Sequence, residues 1–458
     1  MIGLGGARVI VVDDDQEEAI PILKALSRQG VAAAYFDGQV SGLPAASKKL
    51  RGVRLAVLDM DIIGGGSPTK SNLSALVNFL KGILSEDNGP YGIIVWTKHA
   101  DVVPDFERYL FAARKFPRPV FLVTLDKEDF RAGSGNFKLS ALSPRIKSLL
   151  NELTPLAVLL AWEEMSFRAA AEVTNGLSKL AVADATDLAT WRSQWKGRLD
   201  VIMRTLADAE AGKLLSSNTV LQALYSCMNP LHADRMESLV ALPAGQWKAA
   251  SDEILASTGT CDDEAVARIN TLLHLSLEGP SSFYAGAMYY VGRGKRPEWA
   301  TSSKEFLTEL MQRVQVKPDA DEAARAAAKA KEKEQLAAVM SSCRPLLMEV
   351  SASCDHTQLK VRMARFILGL AIPVAERTAK RVNQKPGPGV WKLGPVYLAS
   401  EHIPANSYDL IFSARFMVTV DVKHAKKLRP VARLRSQAFV EMQAWLGHHT
   451  ARPGMLLL

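Results

Sequence analysis

Between residues 7 and about 150, short and largely apolar runs alternate five times with segments whose apolar residues recur at helical spacing. The runs are Ala7–Val12, Val31–Phe36, Arg54–Leu58, Gly92–Trp96 and Pro119–Leu125. Between them, Ile20, Leu23 and Leu26 fall on one face of a predicted helix over 15–29, and Leu73, Leu76, Val77 and Leu80 do the same further on. A fourth helical segment is expected over 101–116. Strands that are apolar throughout are covered on both faces. Strands alternating with helices form a parallel α/β sheet. Residues 1–150 are therefore expected to be one such domain.

The pattern changes beyond Pro144 and Pro155. A long amphipathic run covers 156–182, and further helices fit 187–211, 217–227, 236–255, 263–275 and 302–316. Residues 155–316 are read as an all-helical domain, with loops at Gly279-Pro280-Ser281-Ser282 and Gly292-Arg293-Gly294. The Ala/Lys/Glu-rich stretch 317–343 has little apolar stripe to bury, so an exposed helical spacer is expected. From 344 to 458 the segments 346–351, 363–372, 390–398 and 407–422 are β-prone, with a turn at Pro386-Gly387-Pro388-Gly389. A closing helix is expected over 431–447, with Leu434, Ala438, Met442 and Trp445 on one face. The fold class expected is multidomain: an N-terminal α/β parallel five-stranded sheet, an all-α middle domain and a small, barrel-like α+β C-terminal domain.

Composition adds limits. At 458 residues the chain is too long for one core. No apolar stretch reaches the roughly 18 residues that span a bilayer, so no membrane partner is expected. Met1 to Gly6 lacks the basic region of a signal peptide. The four cysteines are scattered, which fits reduced thiols in a cytoplasm. The charge is uneven. From Leu346 onward sixteen Lys and Arg face seven Asp and Glu, a surplus of nine in a chain whose total is +8. An acidic or polyanionic partner follows for that region, or a solvated basic face. Its densest part is Lys423, Lys426, Lys427, Arg429, Arg433 and Arg435. These are candidate contacts for nucleic acid or a protein partner, although no familiar nucleic-acid-binding motif accompanies them.

The sharpest chemistry lies at the strand ends. Asp13 and Asp14 end the first strand, Asp59 ends the third, Thr97 the fourth, and Lys127 follows the fifth. In an open parallel sheet those ends meet in one crevice, where ligands bind. Phosphoryl transfer to a carboxylate needs a divalent cation for charge and donors for the phosphoryl oxygens. Magnesium takes hard oxygen ligands, so Asp13, Asp14 and Asp59 form a candidate Mg2+ site. Asp59 is the candidate nucleophile, and Thr97 and Lys127 are the candidate phosphoryl contacts.

Val12-Asp13-Asp14, Leu58-Asp59, Trp96-Thr97 and Leu125-Asp126-Lys127, in that order, resemble the receiver domains of two-component response regulators. The resemblance covers about 7–150. It implies a flavodoxin-like strand order 2-1-3-4-5, with Asp59 as phosphoacceptor. Glu128 stands where the family has proline after its lysine. Thr124 replaces the family's aromatic switch residue, and 60–66 lacks the usual Met-Pro. An unphosphorylated pseudo-receiver is therefore the alternative. Divergent receivers fused to unfamiliar regions look like those of bacterial phage-defence loci. That likeness implies a signalling or adaptor protein, not an enzyme beyond self-phosphorylation. Its protein partner would be a histidine kinase, an NTPase or a nuclease of the same system. The competing reading is a nucleic-acid-binding protein that uses its basic C-terminal domain and carries an inactive receiver.

Cys354-Asp355-His356 could in principle supply a thiolate–imidazole pair or zinc ligands, but a turn after a strand is the plainer expectation. Gly3-Leu4-Gly5-Gly6 precedes its strand and so is no dinucleotide fingerprint, and Gly292 to Arg296 lacks the P-loop spacing.

Overall fold

A computed structural model describes residues 6–61, 68–131, 137–151, 154–181, 190–212, 215–217, 219–240, 252, 254–277, 283–292, 297–317, 319–357, 360–383, 387 and 389–450. The loop following Met60-Asp61, the loops expected at 279–282 and 293–294, the prolines at 386 and 388, and the tail from 451 lie outside the described residues. The chain divides into two compact units, 1–179 with 230–257, and 180–229 with 258–458.

The first unit holds strands β1 (Val9–Val12), β2 (Ala33–Phe36), β3 (Leu55–Leu58), β4 (Gly92–Thr97) and β5 (Phe121–Asp126). They form one parallel sheet in the order β2-β1-β3-β4-β5. This is the receiver-like order. Each strand feeds both cores because successive side chains alternate in direction. Ile10, Val12, Ala56, Leu58, Ile93 and Val95 pack on one face with helices α2 (Lys70–Ile83) and α3 (Val103–Ala112). Val9, Val11, Leu55, Val57, Ile94 and Trp96 pack on the other with α1 (Gln16–Ser27) and α4 (Leu139–Asn151). Gly92 is required where β4 begins, since a Cβ there would stand 1.8 Å from the Phe121 ring.

The long helix α5 (Thr154–Ala181) is fastened to the amino ends of the strands by charge. Glu163 accepts hydrogen bonds from Arg8 at 2.7 Å and from Arg54 Nε at 2.9 Å, and a second contact from Arg54 makes that pair bidentate. Its carboxyl is held below the ordinary glutamate range, chiefly by Arg54. A cavity of about 690 Å³, lined in part by Leu26, Ala33, Leu160 and Phe167, lies beside these ion pairs. Further along, α6 (Trp191–Ala211) and α7 (Val220–Val240) follow, and α7 runs through positions read as two separate helices.

The second unit is built on an antiparallel sheet in the order β10-β11-β9-β8-β7-β12-β6. Its strands are β6 (Leu275–Ser276), β7 (Ala287–Tyr290), β8 (Arg344–Glu349), β9 (Met363–Pro373), β10 (Val390–Leu398), β11 (Asn406–Asp421) and β12 (Pro430–Leu434). Leu346, Met348, Leu410 and Phe412 face a core closed by Phe439 and Met442 of the helix Ser436–Thr450. On the opposite face, Leu370, Ile372 and Ile411 meet Phe306 and Leu310 of the helix Pro297–Leu310.

Three expectations need correction. The stretch 155–316 is not wholly helical, because β6 and β7 lie in it and complete the C-terminal sheet. The stretch 317–343 does form a helix, Glu322–Ser342, but its last turns are not a free spacer: Val339 is fully buried against Phe306 and Leu310. The closing helix starts at Ser436, not Val431, because Pro430–Leu434 pairs as β12 with β7.

Substituting Glu163→Gln leaves Arg8 and Arg54 without their shared anion. We expect a loss of about 1–2 kcal/mol at pH 7, a fall of about 2–6 °C in melting temperature. A carboxyl whose folded pKa is depressed contributes above its unfolded pKa and loses that contribution as pH falls through the folded value. The gap between wild type and variant should therefore close below the ordinary 4.5 of glutamate. Equal melting temperatures at pH 7 count against the role given to this pair.

Candidate functional site

The parallel register places the acidic residues level with one another. Val12 pairs with Leu58, so Asp13 and Asp59 emerge side by side from β1 and β3. The Asp59 amide donates to the Val12 carbonyl at 2.8 Å, and the Asp13 amide to the Phe36 carbonyl at 3.1 Å. Asp15 caps α1 by accepting from the Glu17 amide at 2.8 Å, which turns the chain sharply after the acid pair. Asp13 and Asp59 are buried, and Asp14 is exposed.

Lys127 closes the group. It is 2 % exposed, and its ammonium lies 2.9 Å from Asp59 Oδ2 and 3.6 Å from Asp13 Oδ2. It also donates to Glu18, from the first turn of α1. The structure thus brings Asp13, Asp14, Asp59 and Lys127 together. Thr97 is fully buried at the end of β4, where its hydroxyl accepts from the His99 amide at 3.0 Å. No hydrogen bond joins that hydroxyl to Asp59 or Lys127 among the described residues.

Burial and charge both act on the carboxyls of Asp13, Asp14, Asp61 and Glu18. Burial pushes Asp13 up to about 7; Lys127 opposes the rise and Asp59 adds to it. Burial also raises Asp14 and Asp61, with the charge of Asp59 acting in the same direction. For Glu18, burial acts upward but is outweighed by Lys127 and Lys98, so its carboxyl titrates below the usual range. Burial acts to lower Lys127, but Asp59, Asp13 and Glu18 outweigh it and hold the ammonium charged.

The carboxylates fit a hard divalent cation. One oxygen each from Asp13, Asp14 and Asp59 lie within 4.8 Å of one another, the one such group of three among the described residues. Asp13 Oδ2 is buried and accepts no hydrogen bond, which leaves a lone pair for an ion.

Several residues of the site escaped the sequence reading. Glu18 gathers Lys127, Lys98 at 3.1 Å and Arg131. The available signals were weak: Glu18 is one helical turn beyond Asp14, Lys98 follows Thr97, and Arg131 lies four beyond Lys127. Asp61 and His99 face each other at 3.5 Å. Behind the site, Trp96 packs against Phe130 and Phe137, with ring centroids 5.8 and 5.4 Å apart. This cluster lies next to Thr97, whereas position 124 carries no ring.

The remaining candidates behave differently. Cys354, Asp355 and His356 lie on the short helix Ser353–Thr357, not in a turn. His356 turns inward to Glu349 at 2.8 Å, its ring tilted against that of Phe283, while Cys354 is exposed, so the three do not converge. Lys423, Lys426, Lys427 and Arg429 are exposed around a single helical turn. Arg433 lies over the Tyr284 ring, and Arg435 donates to the Leu272 carbonyl, so the basic cluster does not form one free face.

No family model and no curated protein matches the chain. Among solved structures it is similar to full-length FixJ from B. japonicum, at 17% identity and a TM-score of 0.22, over 55% of this chain and 100% of that one. The response regulator StyR gives 17% and 0.20, over 50% of this chain and 96% of that one. The RcsB response regulator of Salmonella typhimurium gives 16% and 0.18, over 49% and 99%. The receiver-like character of the first 150 residues rests on the strand order and the strand-end residues. No helix among the described residues is long and apolar enough to cross a membrane.

A carboxyl whose folded pKa is raised from 3.8 to about 7 weakens the fold as pH climbs through that window. With divalent cations chelated, Asp13→Asn should therefore melt higher than wild type at pH 8, by about 2–6 °C. The difference should shrink toward pH 5. A variant that melts no higher at pH 8 contradicts the burial cost assigned to Asp13.

Proposed function

We propose that the N-terminal domain accepts a phosphoryl group on Asp59 and so acts as the input of a signalling or adaptor protein. The observation that carries this reading is the side-by-side emergence of Asp13 and Asp59 with the Lys127 ammonium 2.9 Å from Asp59. Asp59 supplies the nucleophilic oxygen. An Asp59 O–P bond forms as the donor's bond to phosphorus breaks, and the leaving group keeps that electron pair. Lys127 pairs with the phosphoryl oxygens, and the Thr97 hydroxyl turns to donate to one of them. Asp13, Asp14 and Asp59 would hold a Mg2+ ion, which would supply charge neutralisation for the transferred group. The donor is a histidine kinase or a small phosphodonor. Output runs through a protein partner, which the likeness to phage-defence receivers makes an NTPase or nuclease of the same system. No further enzymatic step is proposed.

Beryllofluoride with magnesium mimics an aspartyl phosphate. We expect it to raise the melting temperature of the wild type by several degrees and to leave Asp59→Ala unmoved. A wild type that ignores it rules out the phosphoacceptor and leaves a pseudo-receiver.

A second reading is favoured by the exposure of Lys423, Lys426, Lys427 and Arg429 within seven residues. These side chains would hold a nucleic-acid backbone. Binding of labelled DNA or RNA should then weaken with rising salt and fall further in Lys426→Glu/Lys427→Glu. Retained binding in that variant removes the cluster from the contact.

A further inference from the structure

Glu18 is an odd neighbour for a site that is to receive an anion. Its two carboxylate oxygens take three cations: Lys127 on Oε2, and Lys98 at 3.1 Å together with Arg131 on Oε1. Glu18 is the one carboxylate that touches all three, and like charges drawn to one point repel. Lys127 is shared with Asp59 and Asp13, and Arg131 Nε lies 3.3 Å from Glu128, whereas Lys98 pairs with no second carboxylate among the described residues. The donors come from separate places, after β4, after β5 and from the turn beyond Lys127, and they converge from different sides. Three convergent N–H groups suit an oxyanion with three free oxygens better than they suit a two-oxygen carboxylate.

Glu18 is also built to move. It sits on the first turn of α1 with a side chain of several rotatable bonds, and 15% of that side chain is exposed.

We propose that Lys98, Lys127 and Arg131 form an oxyanion-binding site that Glu18 fills in the resting protein, so that phosphate or a phosphoryl group enters by displacing the Glu18 carboxylate. Where the oxyanion is the phosphoryl group on Asp59, this rests on the function proposed above. Glu18 then sets the affinity of the site: it competes with the incoming group for the same ammonium.

The test compares wild type with Glu18→Gln by thermal shift, titrating inorganic phosphate and, separately, beryllofluoride, both with magnesium present. Glu18→Gln should bind phosphate about tenfold more tightly, the equivalent of one charge-assisted contact that no longer has to be displaced. Adding Arg131→Gln to it should abolish the gain. Equal phosphate affinities in wild type and Glu18→Gln overturn the proposal, as does a gain that survives loss of Arg131. If Glu18→Gln does not fold, Glu18→Asp, which keeps the charge but shortens its reach, should show a smaller gain in the same direction. The two readings fail separately. A phosphate gain with no beryllofluoride binding in either protein keeps the oxyanion site and removes Asp59 as acceptor. Beryllofluoride binding with equal phosphate affinities keeps Asp59 and removes the role of Glu18.

Discussion

The N-terminal domain depends on one buried ammonium. Asp13 and Asp59 emerge together because parallel register aligns the ends of β1 and β3, and neither is solvated. Two carboxylates so placed repel each other and lose hydration, a cost that water cannot relieve. Lys127 makes the arrangement tenable by standing against both at once. Its compensation is incomplete, since Asp13 Oδ2 faces the ammonium at 3.6 Å without a hydrogen bond. The same deficit leaves carboxylate oxygens of the kind a hard cation takes. Polar groups left short of partners in a fold otherwise well satisfied are where function is most often found.

Much of this was legible in the sequence because it is local. Ile10, Val12, Ala56 and Leu58 announce strands buried on both faces, and the residues just beyond them must share an edge of the sheet. Asp13, Asp59 and Lys127 could thus be named without coordinates. Glu18 could not. A glutamate in the first turn of a helix is ordinary, since it complements the helix dipole, and nothing in its spacing tells which way it turns. Its importance comes from Lys98 and Arg131, which are 80 and 113 residues distant.

The same limit explains the C-terminal errors. Leu434, Ala438 and Met442 keep helical spacing, so the pattern carries the helix back through Val431. The strand there pairs with β7 on one side and β6 on the other. β7 is four residues long, follows Gly286 at a positive φ, and sits between segments that read as helix and loop. A two-residue strand such as β6 leaves no periodicity at all. Such elements are made by their partners and not by their own composition. Cys354-Asp355-His356 shows the converse. The triplet looked chemical, but its histidine is spent on the buried Glu349.

β3 has a consequence as a ruler. Arg54 stands immediately before it and Asp59 immediately after, about 16 Å apart along an extended chain. The first is clamped to Glu163, and the amide of the second is fixed to Val12. A strand pinned at both ends cannot slide by a residue without breaking both attachments and turning its apolar side chains to the wrong faces. The depth of the crevice and the seat of α5 are therefore set by a single length. Adjustment to a bound group falls to side chains and loops at the rim, and the sheet beneath them keeps its measure.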